Sequence, residues 1–461
     1  MRLKVPAALD PGFYPMSVIC REFKKACGDD GQDLIIGIER DAGLVSVYRT
    51  RIFRDGIGKD ELNFEFAERI IKSLLWVYGG YRIIIAGNDR IGEKIKKIYA
   101  KGAEREFDSD LMSRVYEKPF EVVCVPLSEA PEARESAVSV GRNMDGCRIG
   151  FDAGGSDRKV SAVINGEAVF SEEVVWFPKE KSDPDYHYEG ILNAFKTAAS
   201  HMPRVDAIGV SSAGIYIGNR VSAASLFIKV SPEDFDKKVR TMYIDCAREI
   251  GPDVPLEVAN DGDVTALAGA MELGDGCVLG CAMGTSQAGG YVDAQGNITG
   301  WLNELAFVPC DFSREAAVDE WSGDYGTGVN YFSQDAVIKL APAAGIKLDE
   351  SLSPADKLKA VQKLMEAGDK RAAKIYETIG VYFGYAVAYY AEFYDMRHVL
   401  VMGRVTSGEG GQILIDKANE VLESEFKELR EKITLHIPDE SSRRIGQSVA
   451  AASLPKIDKR R

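Results

Sequence analysis

The chain has 461 residues, 45% hydrophobic and 28% charged, with a formal net charge of −14. That length predicts two or three folding units of ordinary water-soluble composition. The acidic balance excludes a general nucleic-acid binder, which needs clustered Lys and Arg against the phosphate backbone, and the basic end Lys456–Arg461 reads as a solvated tail.

Eight cysteines, at 20, 27, 124, 147, 246, 277, 281 and 310, form no CxxC pair, and the chain has only four histidines. The pattern reads as reduced thiols serving as small core residues, with neither disulfides nor a structural zinc site. The opening MRLKVPAALDPG has no apolar run of the signal-peptide kind. The most apolar stretch, Val381 to Tyr394, contains Glu392 and is too short to span a bilayer. A cytoplasmic protein with no membrane partner is expected.

In chain order, residues 1–146 read as an α/β region of their own. Leu34–Ile38 and Leu44–Phe53 are predicted strands around the turn Asp41-Ala42-Gly43. An amphipathic helix is predicted over Asn63–Tyr78, a buried strand over Arg82–Ala86, a helix over Arg90–Lys101 and a strand over Phe120–Val125. The polar, Pro-bearing stretch Glu129 to Asp145 reads as a linker.

A second series starts at Cys147. Arg148–Asp152, Lys159–Ile164 and Ala168–Trp176 are predicted strands, the last two joined by the hairpin pair Asn165-Gly166. A helix over Tyr188–Ser200 and a buried strand over Ala207–Ser211 complete the order strand, strand, strand, helix, strand. The segment LIIGIERDAGLVSVYRTRIF repeats RIGFDAGGSDRKVSAVINGEAVF roughly, either by an internal duplication or because two hairpins look alike. Further on, a strand ends at Val258–Asn260 and a helix covers Gly262–Glu272. Strands over Cys277–Met283 and Gly289–Asp293 flank a Gly-rich turn. Ser353 is a predicted N-cap with Pro354 at the first helical position. A long helix, about Lys370 to Tyr394, precedes the strand Val399–Met402, and a helix around Ile445–Ala452 closes the chain.

Four constellations carry candidate chemistry. Asp152-Ala-Gly-Gly-Ser156 ends a buried strand, where glycines let backbone N–H groups approach phosphate oxygens and Asp152 can hold a metal-bound water. No GK[ST] follows, so it is not a Walker A loop, and a plain hairpin accounts for the same residues. Asn260-Asp261 opens a helix, either as an ordinary N-cap or as a carboxylate that accepts a substrate hydroxyl proton. Asp263, two residues on, points about 200° away on a helix. Gly284-Thr-Ser-Gln-Ala-Gly289-Gly290 is a second phosphate cradle or a second Gly-rich hairpin. Val399-Leu-Val-Met-Gly403 ends a strand on a glycine that lets a flat base reach the backbone.

Taken in this order, from about Arg148 to Pro455, the chain resembles the ROK family of sugar kinases and sugar-responsive regulators within the actin-like/hexokinase ATPase superfamily. Asp152-Ala-Gly-Gly-Ser156 resembles the family's DxGGT, and Asn260-Asp261 its NDAN segment, whose Asp is the catalytic base. Gly284–Gly290 resembles GTGxGGG. Ala207–Gly214 resembles the strand and turn beside the sugar, Met402-Gly403-Arg404-Val405 the late turn near adenosine, and Ile445–Ala451 the closing helix. The resemblance implies an α/β, two-lobed actin-like/hexokinase (ribonuclease H-like) fold with an extra N-terminal α/β region. The expected divisions are 1–146 of unknown role, 147–270 as a first lobe, and 271–461 as a second lobe whose last helix returns to the first. It further implies ATP and Mg²⁺ as cofactors, a sugar-like small-molecule substrate and a homodimer among possible assemblies. Asp261 would be the base, and Asn260, Glu304 and Gly214 would meet substrate. Gly154, Gly155, Ser156, Gly284, Thr285 and Ser286 would hold phosphates. Gly403 and Val405 would border adenosine, and Asp152 would organise Mg²⁺ through water.

The departures are specific. Where the family continues GExGH into a zinc-binding Cys cluster, this chain has Asn303-Glu304-Leu-Ala-Phe307 and, later, Ser322-Gly-Asp-Tyr-Gly-Thr327. Glu304 is kept, Phe307 replaces the sugar- and zinc-contacting His, and zinc is not expected. The family's sugar-binding Asn is replaced near Ser225. The kinase reading therefore has an alternative: a catalytically weak ligand-binding sensor. A DNA-binding repressor is disfavoured, because residues 1–146 read as mixed α/β and not as a helix-turn-helix. His187 reads as a surface or capping residue, and Trp301 and Trp321 as core or as aromatic platforms.

Overall fold

Apolar residues on both faces of Gln32–Glu39 (β1) require cover on two sides, and they receive it. β1 pairs antiparallel with Val45–Ile52 (β2) and with Arg82–Ala86 (β3), and β3 pairs parallel with Glu121–Val125 (β4). The sheet order is β2-β1-β3-β4. Four helices belong to this part: Met16–Cys27 (α1), Asp60–Tyr78 (α2), Asp89–Ile98 (α3) and Glu106–Tyr116 (α4). α1 and α4 were not expected from the sequence. α1 nevertheless buries Met16, Ile19, Cys20, Phe23 and Cys27 along one helical stripe. The computed structural model describes residues 3–135, 140–438 and 440–457, the last segment with side chains from residue 446 on. Part of the expected linker, residues 136–139, lies outside the described residues.

The series that starts at Cys147 builds a five-stranded sheet. Its strands are Cys147–Ala153 (β5), Asp157–Ile164 (β6), Glu167–Val175 (β7), Ala207–Ser212 (β8) and Leu256–Asn260 (β11), in the order β11-β8-β5-β6-β7. β6 runs antiparallel to β5 and to β7, while β5, β8 and β11 are mutually parallel. Asn165 and Gly166 both take positive φ, 48° and 85°, as a two-residue hairpin turn demands. Ile215–Ile217 (β9) and Arg220–Ala223 (β10) form a separate small hairpin. Pro184–Ser200 (α5), Met242–Ile250 (α6) and Asp261–Leu273 (α7) accompany the sheet. Ile149, Phe151, Phe195, Val210, Leu226 and Tyr243 form part of its core. The N-terminal sheet does not repeat this pattern, since β1 and β3 are antiparallel where β5 and β8 are parallel. The rough sequence repeat is thus the likeness of two hairpins.

A third sheet has the order β13-β12-β14-β15, from Val278–Met283 (β12), Gln287–Val292 (β13), His398–Met402 (β14) and Thr434–His436 (β15). Gln334–Leu340 (α8), Pro354–Glu366 (α9), Lys370–Tyr390 (α10) and Glu409–Glu425 (α11) follow β13. Ser353 caps α9, its Oγ accepting from the Asp356 N–H at 3.2 Å. The last helix, Glu440–Ala452 (α12), lies on the five-stranded sheet. Two glycines permit its approach: a Cβ on Gly150 would stand 1.9 Å from the Ser448 carbonyl oxygen, and one on Gly209 1.7 Å from that of Ala451.

The chain divides into two compact units. One comprises 1–136, 281–289 and 301–437, and the other 137–280, 290–300 and 438–461. This differs from the expected boundaries at 146 and 270, because the N-terminal part does not stand alone. The N–H groups of Leu302, Asn303 and Glu304 donate to the carbonyls of Tyr78, Val77 and Trp76 at 3.3, 2.9 and 3.0 Å. They satisfy orphan acceptors at the end of α2, so residues 301–304 complete that helix. Among the described residues, no helix is long and apolar enough to cross a membrane.

Candidate functional site

In the second unit, three parallel strands of the five-stranded sheet end at one edge. Asp152 on β5 is level with Ser211 on β8, and Ser212 with Asn260 on β11. The C-terminal ends of parallel strands are where open α/β sheets present their chemistry. Asp152 is buried; the Ser211 hydroxyl donates to its Oδ1 at 2.8 Å, and the Lys159 ammonium stands 3.8 Å from its Oδ2. Gln447 on α12 donates in turn to the Ser211 hydroxyl at 3.3 Å. Burial pushes the Asp152 carboxyl up to about 6, with Ser211 and Lys159 pulling the other way and the nearby Asp261 charge adding to the rise.

Asp261 is the first residue of α7 and takes the Gly262 N–H on its Oδ1 at 3.0 Å. Burial raises its carboxyl, against the Gly262 N–H and the charge of Lys179, which lower it. Asn260 is the N-cap: its Oδ1 accepts from Gly262 at 2.8 Å, and its Nδ2 donates to the Gly214 carbonyl at 2.7 Å. Both ends of the amide are thus engaged in the protein itself, joining the start of α7 to the Gly214 turn. Gly214 holds φ 142°, a conformation that suits glycine. Asp263 faces away from Asp261 as the helical spacing predicts, but it is buried and accepts the Tyr291 N–H at 3.1 Å.

The turn Gly154-Gly155-Ser156 is held from the far end of the hairpin. Trp176 donates its indole N–H to the Gly154 carbonyl at 2.7 Å and its backbone N–H to the Ser156 carbonyl at 3.1 Å. Neither glycine has a positive φ. Gly154 is needed for space instead, since a Cβ there would lie 2.7 Å from the Asp157 carbonyl oxygen. The Ser156 hydroxyl donates to Asp157 at 3.2 Å, and the Asp157 carboxylate also holds Lys159 at 3.0 Å.

In the first unit, the turn after β12 meets the turn after β14. Arg404 donates to the Thr285 hydroxyl at 2.5 Å. A Cβ on Gly403, at φ 103°, would stand 2.3 Å from the Met283 carbonyl oxygen. The Gly284 N–H donates to the Ser286 carbonyl at 2.9 Å, closing the turn, its carbonyl takes the Gln334 N–H at 2.8 Å, and Thr285 and Ser286 are exposed. Val405 is fully buried, so its side chain belongs to the core and it can border a ligand only through its backbone.

Glu304 is half-buried in the segment that caps α2, and Phe307 stacks on Trp76 with ring centroids 4.2 Å apart. The stretch Ser322–Thr327 is anchored by charge. Asp324 receives Arg69 at 2.9 Å, Lys72 at 3.1 Å and Arg105 at 2.8 Å, all buried. Burial alone would raise its carboxyl, but Lys72, Arg69 and Arg105 hold it well below the usual carboxylate range. Glu68 and Asp108 balance the cations through Arg69, Arg105 and Lys72. Trp301 is packed, edge-on to Tyr78 at 4.7 Å, whereas Trp321 is 72% exposed and therefore not core. His187 is not on the surface. It is fully buried, with Nε2 3.0 Å from the Pro178 carbonyl and 3.2 Å from that of Leu226. Its Nδ1 lies 3.2 Å from the Asp183 carbonyl, so both ring nitrogens face backbone oxygens.

Sequence reasoning missed Ser211, Lys179 and Tyr216. Ser211 was inside a predicted strand, where alternation alone assigns no partner. Tyr216 donates to the Ser212 hydroxyl at 2.6 Å, which also meets Tyr243 at 2.9 Å.

No known family profile matches the chain, and no curated protein sequence matches it. Solved structures do. The ROK hexokinase from Thermus thermophilus aligns over 66% of this chain and 96% of its own, at 17% identity and a TM-score of 0.51. A ROK family transcriptional regulator, a homolog of the E. coli MLC protein, aligns over 68% of this chain and 79% of its own, at 16% identity and a TM-score of 0.52. At such identity the likeness is one of fold: the chain has the actin-like/hexokinase fold in the form that ROK-family structures take. One of the two is named as an enzyme and the other as a regulator, so fold alone does not choose between these activities.

Proposed function

We propose that the chain is an ATP-dependent phosphotransferase that acts on a hydroxyl of a sugar-like small molecule. The observation that carries this reading is the pair Asp152 and Asp261 at the ends of parallel strands, beside the glycine turn 154–156. Each is raised by burial, and each has one oxygen already fixed by a local donor. In the step proposed, the acceptor hydroxyl oxygen attacks the terminal phosphorus of ATP, the bond from that phosphorus to the ADP oxygen breaks, and the hydroxyl proton passes to Asp261. A raised carboxyl is a better proton acceptor than an ordinary one. Asp152 is a hard oxygen donor suited to Mg²⁺ held through water, and the ion would supply charge neutralisation for the phosphates. Gly154, Gly155 and Ser156, with Gly284, Thr285 and Ser286, are assigned to phosphates, and the Gly403 backbone to adenosine. Glu304 and Gly214 are assigned to the acceptor.

The acceptor is not expected to be recognised as glucose is by a ROK glucokinase. Phe307 packs on Trp76 and offers no imidazole. The same observation supports the second reading, a ligand-binding sensor with weak or no turnover. ADP release from Mg-ATP against a panel of sugars and polyols distinguishes them. The phosphotransferase reading expects acceptor-dependent ADP, reduced about a hundredfold or more by Asp261→Asn, the usual contribution of a general base. Acceptor-independent background in parent and variant alike would favour the sensor.

A further inference from the structure

We propose that Lys179 is the residue that contacts the terminal phosphoryl group of the nucleotide, an assignment that rests on the phosphotransferase reading. Lys179 lies on the single turn Pro178–Glu180 that follows β7. Its side chain reaches back over the glycine turn: a Cβ on Gly155 would stand 3.1 Å from its Cε and 3.3 Å from its ammonium nitrogen. Glycine at 155 lets the Lys179 side chain lie close over the turn.

The segment bearing Lys179 is fixed from both sides. Trp176, buried, is tied to the carbonyls of Gly154 and Ser156. Pro178, also buried, gives its carbonyl to the enclosed imidazole of His187 at 3.0 Å. The backbone on which Lys179 stands is therefore locked to the turn that it overhangs. This also accounts for a fully buried histidine that the chemistry of Asp261 does not use.

The ammonium itself is exposed and has no carboxylate partner among the described residues. The other cation at the turn, Lys159, is already paired with Asp157 at 3.0 Å. Lys179 is near enough for its charge to lower the Asp261 carboxyl against burial. An unpaired cation next to both the phosphate turn and the proposed base matches the place of the group in transfer. There the terminal phosphoryl carries three charged oxygens, and a Lys can meet them as a mobile point charge.

The test compares the full chain with Lys179→Met and Lys179→Arg, titrated calorimetrically with Mg-ADP and with Mg-AMPPNP, which adds the terminal phosphoryl. Because Lys179 is exposed, both variants should melt like the parent. The expected result is about a tenfold loss of AMPPNP affinity in Lys179→Met, the scale of one charge-assisted contact, with ADP affinity unchanged and AMPPNP binding recovered in Lys179→Arg. AMPPNP affinity unchanged in Lys179→Met would overturn the assignment while leaving the phosphotransferase reading in place. Equal loss of both nucleotides would also overturn it, because the ammonium would then serve the phosphates of ADP. A parent that binds neither nucleotide would remove both readings.

Discussion

The indole of Trp76 stacks on the ring of Phe307, with centroids 4.2 Å apart and planes inclined by 29°. Trp76 sits in the last turn of α2 and Phe307 just beyond Glu304, so the stack secures the segment that carries Glu304. Its indole N–H also donates to Asp108 at 3.1 Å. Trp76→Ala should cost about 3–5 kcal/mol, as for other fully buried aromatics, and leave Asp108 short of a donor. Urea denaturation of the two proteins measures it; a loss below about 1 kcal/mol would mean that the segment is held without the stack.

Asp324 accepts three buried cations, and removing it strands them. Asp324→Asn should destabilise the protein at neutral pH by about 3–5 kcal/mol. The pH dependence has a defined sign. The carboxyl is held below its ordinary value in the folded chain, so its stabilisation is present above the unfolded value and is lost as pH falls. The gap between parent and variant should therefore narrow as pH drops below about 4. Denaturation midpoints across that range would show it.

Asp152 has the opposite sign. Its folded carboxyl is raised to about 6, so the native state keeps a proton that the unfolded chain gives up. The parent should lose stability as pH climbs from about 4 to 6 and level off above. Asp152→Asn cannot ionise there. It should match the parent near pH 4 and exceed it on the order of 1–3 kcal/mol at pH 7 to 8. A constant difference between the two melting curves across this range would show that Asp152 is not raised.

Much of this architecture was legible because strand ends and turns have local causes. Asn165-Gly166 dictates its hairpin, and the apolar runs at Arg82–Ala86 and Ala207–Ser211 need no distant partner to be recognised. Asp152 and Asp261 stand out as candidates in the sequence because each ends a strand or opens a helix. What failed to show depends on contacts far apart in sequence. His187 is buried through Pro178 and Leu226, and the N-terminal region joins its unit through residues 302–304. Gly150 and Gly209 looked like ordinary strand residues until the closing helix was placed on them.

Asp263 illustrates the same limit. Helical spacing alone suggests a neutral position, but its carboxylate takes the Tyr291 N–H in the interior. Asp263→Asn keeps an acceptor oxygen and should be mild, whereas Asp263→Leu leaves that N–H unsatisfied and should cost about 1–3 kcal/mol. Thermal melts of the two variants check this, and equal melting temperatures would contradict it.

The most direct test of the proposed function is a calorimetric titration of the full chain with ADP, with and without Mg²⁺. In the proposed function the turns at 154–156 and 284–286 are assigned to phosphates and Asp152 to the magnesium complex. The expected result is saturable binding of ADP that Mg²⁺ strengthens and that Asp261→Asn leaves nearly intact, because the role proposed for that carboxylate is toward the acceptor hydroxyl. No binding at millimolar ADP, by a chain that still melts cooperatively, would contradict the account.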